Sequence, residues 1–147
     1  MKNKMKVKQI FIASDHAGYK LKKNIKSALI KKNKKILDLG TNNSNSVDYP
    51  KFAHLLSKKM GKDKNNIGIL ICGSGIGMSI AANRHKNVRA ALCYSSKSAI
   101  LSRKHNNANV IALGARLTSR NVALKYIEKF IKTNFEGGRH LRRVKKI

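Results

Sequence analysis

Residues 70–83 read LICGSGIGMSIAAN, an apolar run that ends on Cys72 and continues into three glycines spaced two apart. A buried strand needs apolar side chains, whereas Gly73, Gly75 and Gly77 remove side-chain bulk at the point where a helix should begin. Backbone N–H groups at such a turn are open to a ligand, and they suit a phosphate or an oxyanion. The segment therefore predicts a strand, an anion-binding loop and a helix, in that order.

The glycine loop differs from the common nucleotide-binding motifs. Its spacing is G-x-G-x-G, it follows the third apolar run of the chain, and residues 90–94 lack the acidic residue that a dinucleotide fingerprint places about 20 positions later. It also lacks the Lys-Ser/Thr ending of a P-loop. We therefore expect a site for a phosphate or an oxyanion.

Short apolar runs alternate with stretches of helical spacing along the whole chain. The runs predict strands at 9–14, 35–39, 67–72, 89–94 and 109–113. Two of the intervening helices should bury the faces Leu21, Ile25, Ala28, Leu29 and Phe52, Leu55, Leu56, Met60. This alternation predicts an α/β fold with a five-stranded parallel sheet covered on both faces, as one domain over residues 1–147.

Ligands of such sheets bind at the carboxyl ends of the strands. Polar residues and glycines follow the predicted strands at that edge: Asp15 and His16, Gly40 and Thr41, the glycine loop, Tyr94 and Ser95, and Gly114 with Arg116. The predicted fold therefore gathers these residues in one place.

The chain is strongly basic, with 33 Lys and Arg against 6 Asp and Glu and a formal net charge of +27. Nucleic-acid binding would explain this charge, but only 5% of the residues are aromatic and only eight of the basic residues are arginine. The lysines accompany many Asn and Ile residues, which favours a compositional bias and no specific nucleic-acid partner.

Neither a signal peptide nor a membrane span is indicated, since no apolar run approaches the roughly 18 to 20 residues that a span needs. Two cysteines without clustered Cys/His spacing indicate reduced thiols and no metal site. We expect a cytoplasmic protein that does not bind membranes.

Several polar residues have both a structural and a functional interpretation. Cys72 is either a small core residue or a reactive thiol, because a helix N-terminus lowers the pKa of a thiol below its usual value of about 8.5. Asp15 either caps the following helix or contacts a ligand. His105, followed by Asn106, either completes a helix C-terminus or acts in a site. Cys93 is expected in the core, and His54 and His85 are given no role.

The C-terminal segment, EGGRHLRRVKK, is basic and leaves the domain through Gly137 and Gly138. Arg139 and Arg143 are four residues apart, so on a helix they would share a face and could bind one phosphate together. This segment, about residues 137–147, could also reach a neighbouring subunit.

Five stretches, SDHAGYKLK, DYP, ICGSGIGMSIAANR, RKHNNANVIALGAR and EGGRHLRRV, together resemble the ribose-5-phosphate isomerase B family, which includes galactose-6-phosphate and allose-6-phosphate isomerases. The resemblance runs from about residue 9 to residue 144. It implies a Rossmann-like α/β/α subunit in a homodimer, or a dimer of dimers, with active sites across the subunit interface. It further implies that D-ribose 5-phosphate and D-ribulose 5-phosphate are interconverted through a cis-enediol(ate) without metal or cofactor, in the pentose phosphate pathway.

The resemblance also implies roles for individual residues. Cys72 corresponds to the proton-transferring base; some members use a glutamate instead, at the position of Met78 here. His105 corresponds to the ring-opening acid/base, and Ser74 to an assisting hydroxyl. The remaining correspondences are sugar or enediolate contacts at Asp15, Tyr49, Gly73, Gly75, Ile76, Gly77 and Asn106, and phosphate ligands at His16, Arg116, Arg139 and Arg143, the last two donated by the neighbouring subunit.

Two alternative functions stay open at this point. A hexose-phosphate isomerase would share this machinery and differ in pocket length. Nucleic-acid binding driven by the net charge is the more distant alternative, and it would depend steeply on salt.

Overall fold

The computed structural model describes residues 5–147. A five-stranded, fully parallel sheet forms the centre, with strand order β2-β1-β3-β5-β4. The strands are β1 (Gln9–Ser14), β2 (Ile36–Asp38), β3 (Asn66–Cys72), β4 (Ala90–Leu92) and β5 (Val110–Gly114). All five were predicted; β2 and β4 are shorter than predicted because each pairs with a neighbour on one side only.

Within residues 5–147, six helices connect or follow the strands. They are α1 (Tyr19–Lys31), α2 (Tyr49–Met60), α3 (Ile76–Ala82), α4 (Ser96–Asn106), α5 (Arg120–Lys132) and α6 (Arg139–Val144). The first five confirm the predicted alternation of strands and helices. The sixth helix contains both Arg139 and Arg143. Because they are four residues apart on one helix, they share a face, as the sequence predicted.

The alternation of side chains along the strands creates a core on each face of the sheet. On β1, Ile10 and Ile12 face the layer that contains α1, α4 and α5, whereas Phe11 and Ala13 face the layer of α2 and α3. Both sets are buried, which explains why the strands read as continuous apolar runs. The predicted three-layer α/β/α fold is confirmed.

The same alternation decides where Cys72 points. On β3, Ile69 and Ile71 belong to the core beneath α1 and α5, so Leu70 and Cys72 belong to the core beneath α2 and α3. Cys72 is also the last residue of the strand. Its thiol therefore lies at the carboxyl edge of the sheet, on the face that α2 and α3 cover.

Leu55 does not lie within the buried face of α2, where the sequence predicted it. Phe52, Leu56 and Met60 fill that face and are buried, whereas Leu55 is exposed. Positions 52, 56 and 60 follow one stripe of the helix, and residue 55 falls beside it.

Lys22 is buried, unlike most lysines, whose charged ends usually stay in water. Its side chain is 1% exposed, and its Nζ donates to Oδ1 of Asp38 at the end of β2. Lys26 reaches the other carboxylate oxygen at 3.2 Å, and the N–H of Gly40 donates to Oδ1 at 3.0 Å. This buried ion pair links α1 to the end of β2.

The longest helices within residues 5–147 have 13 residues. In this part of the chain, none is both long and apolar enough to cross a membrane.

Candidate active site

A cavity of about 570 Å³ opens at the carboxyl edge of the sheet. Eight residues predicted from the sequence line it, namely Asp15, Tyr49, Cys72, Gly73, Ser74, Ile76, Gly77 and Arg116, together with Ile80 and Leu117. The parallel sheet thus brings together residues that are up to about 100 positions apart in the chain, because their strands or helices all end or begin at this edge.

Cys72 lies at the base of the cavity, where the glycine loop folds over it. The N–H of Gly75 donates a hydrogen bond to Sγ of Cys72 over 3.1 Å. The next N–H, that of Ile76, donates to Oγ of Ser74 over 3.2 Å. The loop therefore directs one backbone donor at the sulfur and the next at the hydroxyl oxygen of Ser74.

Each glycine of the loop is required by a different close approach. A Cβ on Gly73 would lie 2.5 Å from Nη1 of Arg116, and one on Gly77 would lie 2.5 Å from the ring of Tyr49. Gly75 has φ +80°, and a Cβ there would lie 2.8 Å from the backbone of Leu113. The absence of side chains therefore lets Arg116 and Tyr49 converge beside the thiol.

Asp15 fits both interpretations that the sequence left open. Its Oδ1 accepts a hydrogen bond from the N–H of Gly18 over 3.0 Å, next to the start of α1, and the residue also lines the cavity. The backbone contact fixes one carboxylate oxygen. The other oxygen keeps its lone pairs for a hydroxyl group in the cavity.

His16 follows Asp15 in the same loop. Its Nδ1 accepts a hydrogen bond from the N–H of Val47 over 3.2 Å, which ties the loop after β1 to the loop before α2. In a neutral ring this contact leaves the proton on Nε2, so Nε2 can donate to an anion.

His105, Asn106, Arg139 and Arg143 lie apart from this cavity. Helix α4 begins after β4, at the carboxyl edge, and its 11 residues run back toward the other edge of the sheet, about 16 Å away. There the ring of His105 stacks on that of His140 on α6, with centroids 4.2 Å apart, and Asn106 lines a separate cavity with Arg89. A single chain therefore holds two groups of predicted site residues at opposite edges.

Ile80 and Leu117 are cavity residues that sequence reasoning missed. Ile80 lies one helical turn after Ile76 on α3, and this spacing was a usable signal. Both side chains are exposed, Ile80 by 63% and Leu117 by 76%. Ile76 and Tyr49, which also line the cavity, are exposed by 51% and 40%. A cluster of exposed apolar residues around a polar cavity is typical of a protein–protein contact.

The two cysteines differ in their surroundings. Both are free thiols. Cys93 is 2% exposed within the core, as predicted, and burial raises the pKa of its thiol to about 11 despite hydrogen bonds with Ser102 and Ser98. At neutral pH Cys93 is therefore an inert core residue, and Cys72 is the cysteine that lines the cavity.

An open parallel sheet with a thiol and an anion-binding loop at its carboxyl edge defines a class of small α/β enzymes that act on anionic substrates. The family model described as Ribose/Galactose Isomerase matches residues 10–147, and this chain belongs to that family.

Individual relatives agree with this assignment. Ribose-5-phosphate isomerase B of Escherichia coli is 38% identical over 141 residues, which cover 96% of this chain and 95% of that protein. The structure of ribose 5-phosphate isomerase B from Anaplasma phagocytophilum superposes with a TM-score of 0.92 at 45% identity, covering 98% of this chain and 99% of that one. The enzyme from Mycoplasma genitalium, solved with bound ribulose 5-phosphate, gives 0.90 at 48% identity, covering 94% and 92%.

Proposed function

We propose that this protein interconverts D-ribose 5-phosphate and D-ribulose 5-phosphate, with Cys72 as the base. The observation that carries this proposal is the position of the Cys72 sulfur, which accepts the N–H of Gly75 in a cavity that also holds Asp15 and Arg116. Membership of the isomerase family and similarity to a relative that binds ribulose 5-phosphate support it.

The reaction moves one proton between adjacent carbons. In the open-chain aldose, the Cys72 thiolate removes the proton on C2, and the electron pair moves through the new C1–C2 double bond to the carbonyl oxygen. N–H groups of the loop 73–77 other than those of Gly75 and Ile76, which donate to Cys72 and Ser74, would stabilise the resulting enediolate oxygen. The thiol then returns the proton to C1 while a proton passes from O2 to O1, which leaves a ketone at C2.

Arg116 and His16 are proposed to bind the phosphate of the substrate. Arg116 reaches the glycine loop at Gly73, and His16 holds Nε2 free for donation while Nδ1 is engaged by Val47. Binding energy from the phosphate positions the distant C1–C2 unit against the thiol. Asp15 and Tyr49 line the cavity and are proposed to hold sugar hydroxyls.

A second copy of the chain is proposed to complete the site. His105, Asn106, Arg139 and Arg143 lie at the opposite edge of their own sheet, so in a homodimer they would reach the cavity of the partner. His105 would then open the furanose ring, and the two arginines would complete the phosphate site. The exposed apolar residues around the cavity, including Ile80 and Leu117, support this position for the contact.

The proposed reaction places the protein in pentose phosphate metabolism in the cytoplasm. Two free thiols fit a reducing compartment. A phosphorylated pentose carries a dianionic group, which Arg116 and His16 are suited to bind.

Isomerisation rates with D-ribose 5-phosphate, D-allose 6-phosphate and D-galactose 6-phosphate test the proposal, measured for the native chain, Cys72→Ala and the matched control Cys93→Ala. We expect pentose turnover that falls by about 10² to 10⁴ in Cys72→Ala, the range for loss of a general base, and persists in Cys93→Ala. Turnover of a hexose phosphate alone would show that the substrate is not the pentose phosphate. An active Cys72→Ala variant would show that Cys72 is not the base.

A further inference from the structure

The backbone carbonyls on either side of His105 both accept hydrogen bonds from outside α4. The last four carbonyls of a helix have no partner within the helix, so they need other donors. The carbonyl of Lys104 accepts the N–H of Glu136 over 3.1 Å. The carbonyl of Asn106 accepts Nε–H of Arg89 over 2.6 Å. The backbone that carries the His105 ring is therefore held on both sides.

Arg89 holds this helix end through its side chain, whereas the neighbouring carbonyls accept backbone N–H groups. The carbonyl of Ser102 accepts the N–H of Ala108 over 3.0 Å. The carbonyl of Arg103 accepts the N–H of Asn107 over 3.1 Å. Ordinary substitutions leave such backbone donors in place. The contact from Arg89 can thus be removed by one substitution that does not touch α4.

The backbone of Arg89 is itself fixed at the start of the sheet, directly before β4. Its N–H donates to Oδ1 of Asn109 over 2.8 Å, and its carbonyl accepts the N–H of Asn109 over 3.0 Å. Its positive charge also suits the end of a helix, where the peptide dipoles leave partial negative charge. Arg89 therefore links the end of α4 to the amino edge of the sheet.

We propose that Arg89 is a positioning residue for the opening of the sugar ring, acting through the backbone of Asn106 on His105. This role rests on the proposed function, in which His105 and Asn106 enter the cavity of the partner. A proton-transferring group must lie within hydrogen-bond reach of its target, and a displacement of about 1 Å can cost about 100-fold in rate. Stacking on His140 fixes the face of the His105 ring, and Arg89 fixes the backbone behind it.

Two variants of equal side-chain length isolate the hydrogen bond. Glutamine and methionine both place an atom where Nε of Arg89 lies along the side chain, but only glutamine carries an N–H donor there. Arg89→Gln should therefore keep His105 in place, and Arg89→Met should not. The matched control is Arg84→Met, because Arg84 is an exposed arginine five residues earlier. Arg89→Ala, which admits water to the carbonyl, takes the place of Arg89→Met if that variant fails to fold.

Proton NMR of the histidine Hε1 signals tests the position of His105 without any activity measurement. The His105 signal, assigned with His105→Asn, should shift in Arg89→Met and keep its native position in Arg89→Gln and Arg84→Met. The signal of His16, at the other edge of the sheet, should not shift in any of them. An unshifted His105 signal in Arg89→Met would overturn the proposal.

Kinetics with ribulose 5-phosphate in D₂O then test the step at which Arg89 acts. Exchange of the C1 proton with solvent requires the Cys72 base but no ring step, whereas net isomerisation to ring-closed ribose 5-phosphate requires both. We expect isomerisation to fall about tenfold or more in Arg89→Met while exchange persists. The ratio of exchange to isomerisation should thus rise, as it should in His105→Asn. A mere loss of folded protein would lower both rates equally and leave the ratio unchanged.

The outcomes distinguish this proposal from the proposed function. A raised ratio in His105→Asn together with a native ratio in Arg89→Met would overturn the role of Arg89 and leave that of His105. An unchanged ratio in His105→Asn would refute ring opening by His105, and the role of Arg89 in that step with it. If the native chain turned over neither sugar phosphate, the proposed function would fail, and the histidine signals would still decide whether Arg89 positions His105.

Discussion

The two cysteines lie in surroundings that should give their thiols different reactivity. Cys93 is enclosed by the core and has a pKa of about 11, so at pH 8 only about one molecule in a thousand carries a thiolate there. Cys72 accepts an N–H from Gly75 and faces the cavity. Cys72 and Cys93 are 4% and 2% exposed, so the difference in their rates of alkylation should come from the cavity beside Cys72 and from the raised pKa of Cys93.

We therefore expect iodoacetamide at pH 8 to modify Cys72 alone in the folded protein. Peptide mapping by mass spectrometry should find one label per chain, and both cysteines should react after unfolding in urea. A label on Cys93 at a comparable rate would contradict the assigned environments. Protection of Cys72 by ribose 5-phosphate would place the substrate over the thiol.

Substitutions at Gly73 and Gly75 should distinguish an effect on the active site from an effect on the stability of the fold. A Cβ on Gly73 meets the flexible end of Arg116, so Gly73→Ala should displace the guanidinium and leave the backbone unchanged. Loss of a charge-assisted bond of about 1.4 kcal/mol or more would raise KM for ribose 5-phosphate about tenfold or more. Steady-state kinetics and a melting curve check both parts.

Arg116→Ala provides the control for this change. If Gly73→Ala acts only through Arg116, the double variant should be no worse than Arg116→Ala alone. Additive losses would show that the methyl group disturbs something else.

Gly75→Ala should behave differently from Gly73→Ala. Gly75 has a positive φ, and its Cβ would meet the side chain of Leu92 and also the backbone of Leu113 at 2.8 Å, which cannot move aside as the end of Arg116 can. We expect it to lower the free energy of unfolding by about 2 kcal/mol or more, measured by urea titration. Equal stability of the two variants would contradict the loop geometry.

At the scale of elements, the ion pair between α1 and β2 makes stability depend on pH. Burial acts to raise the pKa of Asp38, but hydrogen bonds from Lys22 and the N–H of Gly40 outweigh it and lower the pKa. A carboxylate with a lowered folded-state pKa stabilises the fold fully above its unfolded value, about 3.9, and loses that contribution as the pH falls through the folded-state value.

Asp38→Asn should accordingly lower the free energy of unfolding at pH 7 by about 2 kcal/mol. This is less than the loss for a fully buried pair, because Asp38 keeps some contact with water. In urea titrations the difference from the native protein should shrink below about pH 4. Asp63→Asn, which breaks the exposed pair with Lys8, is the matched control and should cost much less. A difference that stays constant from pH 7 to pH 3 would refute the mechanism.

The elements themselves were predictable where a local pattern determines them. Continuous apolar runs predict β1, β3 and β5, because both faces of these strands are covered. The predicted ends of β2 and β4 were less accurate, since each of these edge strands pairs with only three residues of its single neighbour. Lys22 was not distinguishable from the other lysines, because its burial depends on Asp38, which lies 16 residues away.

The site was predictable for the residues that a parallel sheet places at one edge. Cys72, Asp15 and Arg116 follow three different strands and meet in one cavity. His105 and Arg139 could not be placed by this rule. His105 lies at the end of α4, which runs toward the other edge, and Arg139 begins α6, which contacts α4 there; in the proposed dimer a second molecule would bring them to the thiol.

At the scale of the whole molecule, the proposed site requires two chains. Cys72 and His105 belong to opposite edges, so in a two-fold dimer each cavity would take its thiol from one copy and its histidine from the other. Cys72→Ala and His105→Asn should both be inactive as pure proteins. In a mixed dimer, however, one cavity contains both substituted residues and the other cavity contains neither.

Co-expression of the two variants with different tags, followed by purification through both tags, should therefore recover a dimer with about half of the native activity. The matched control pairs Cys72→Ala with Arg116→Ala. These residues line the same cavity of one chain, so each cavity of that mixed dimer keeps one substitution, and its activity should not exceed that of Arg116→Ala alone. If the Cys72 and His105 variants fail to restore activity in a dimer confirmed by sedimentation, the shared site is wrong and ring opening must depend on a group within one chain.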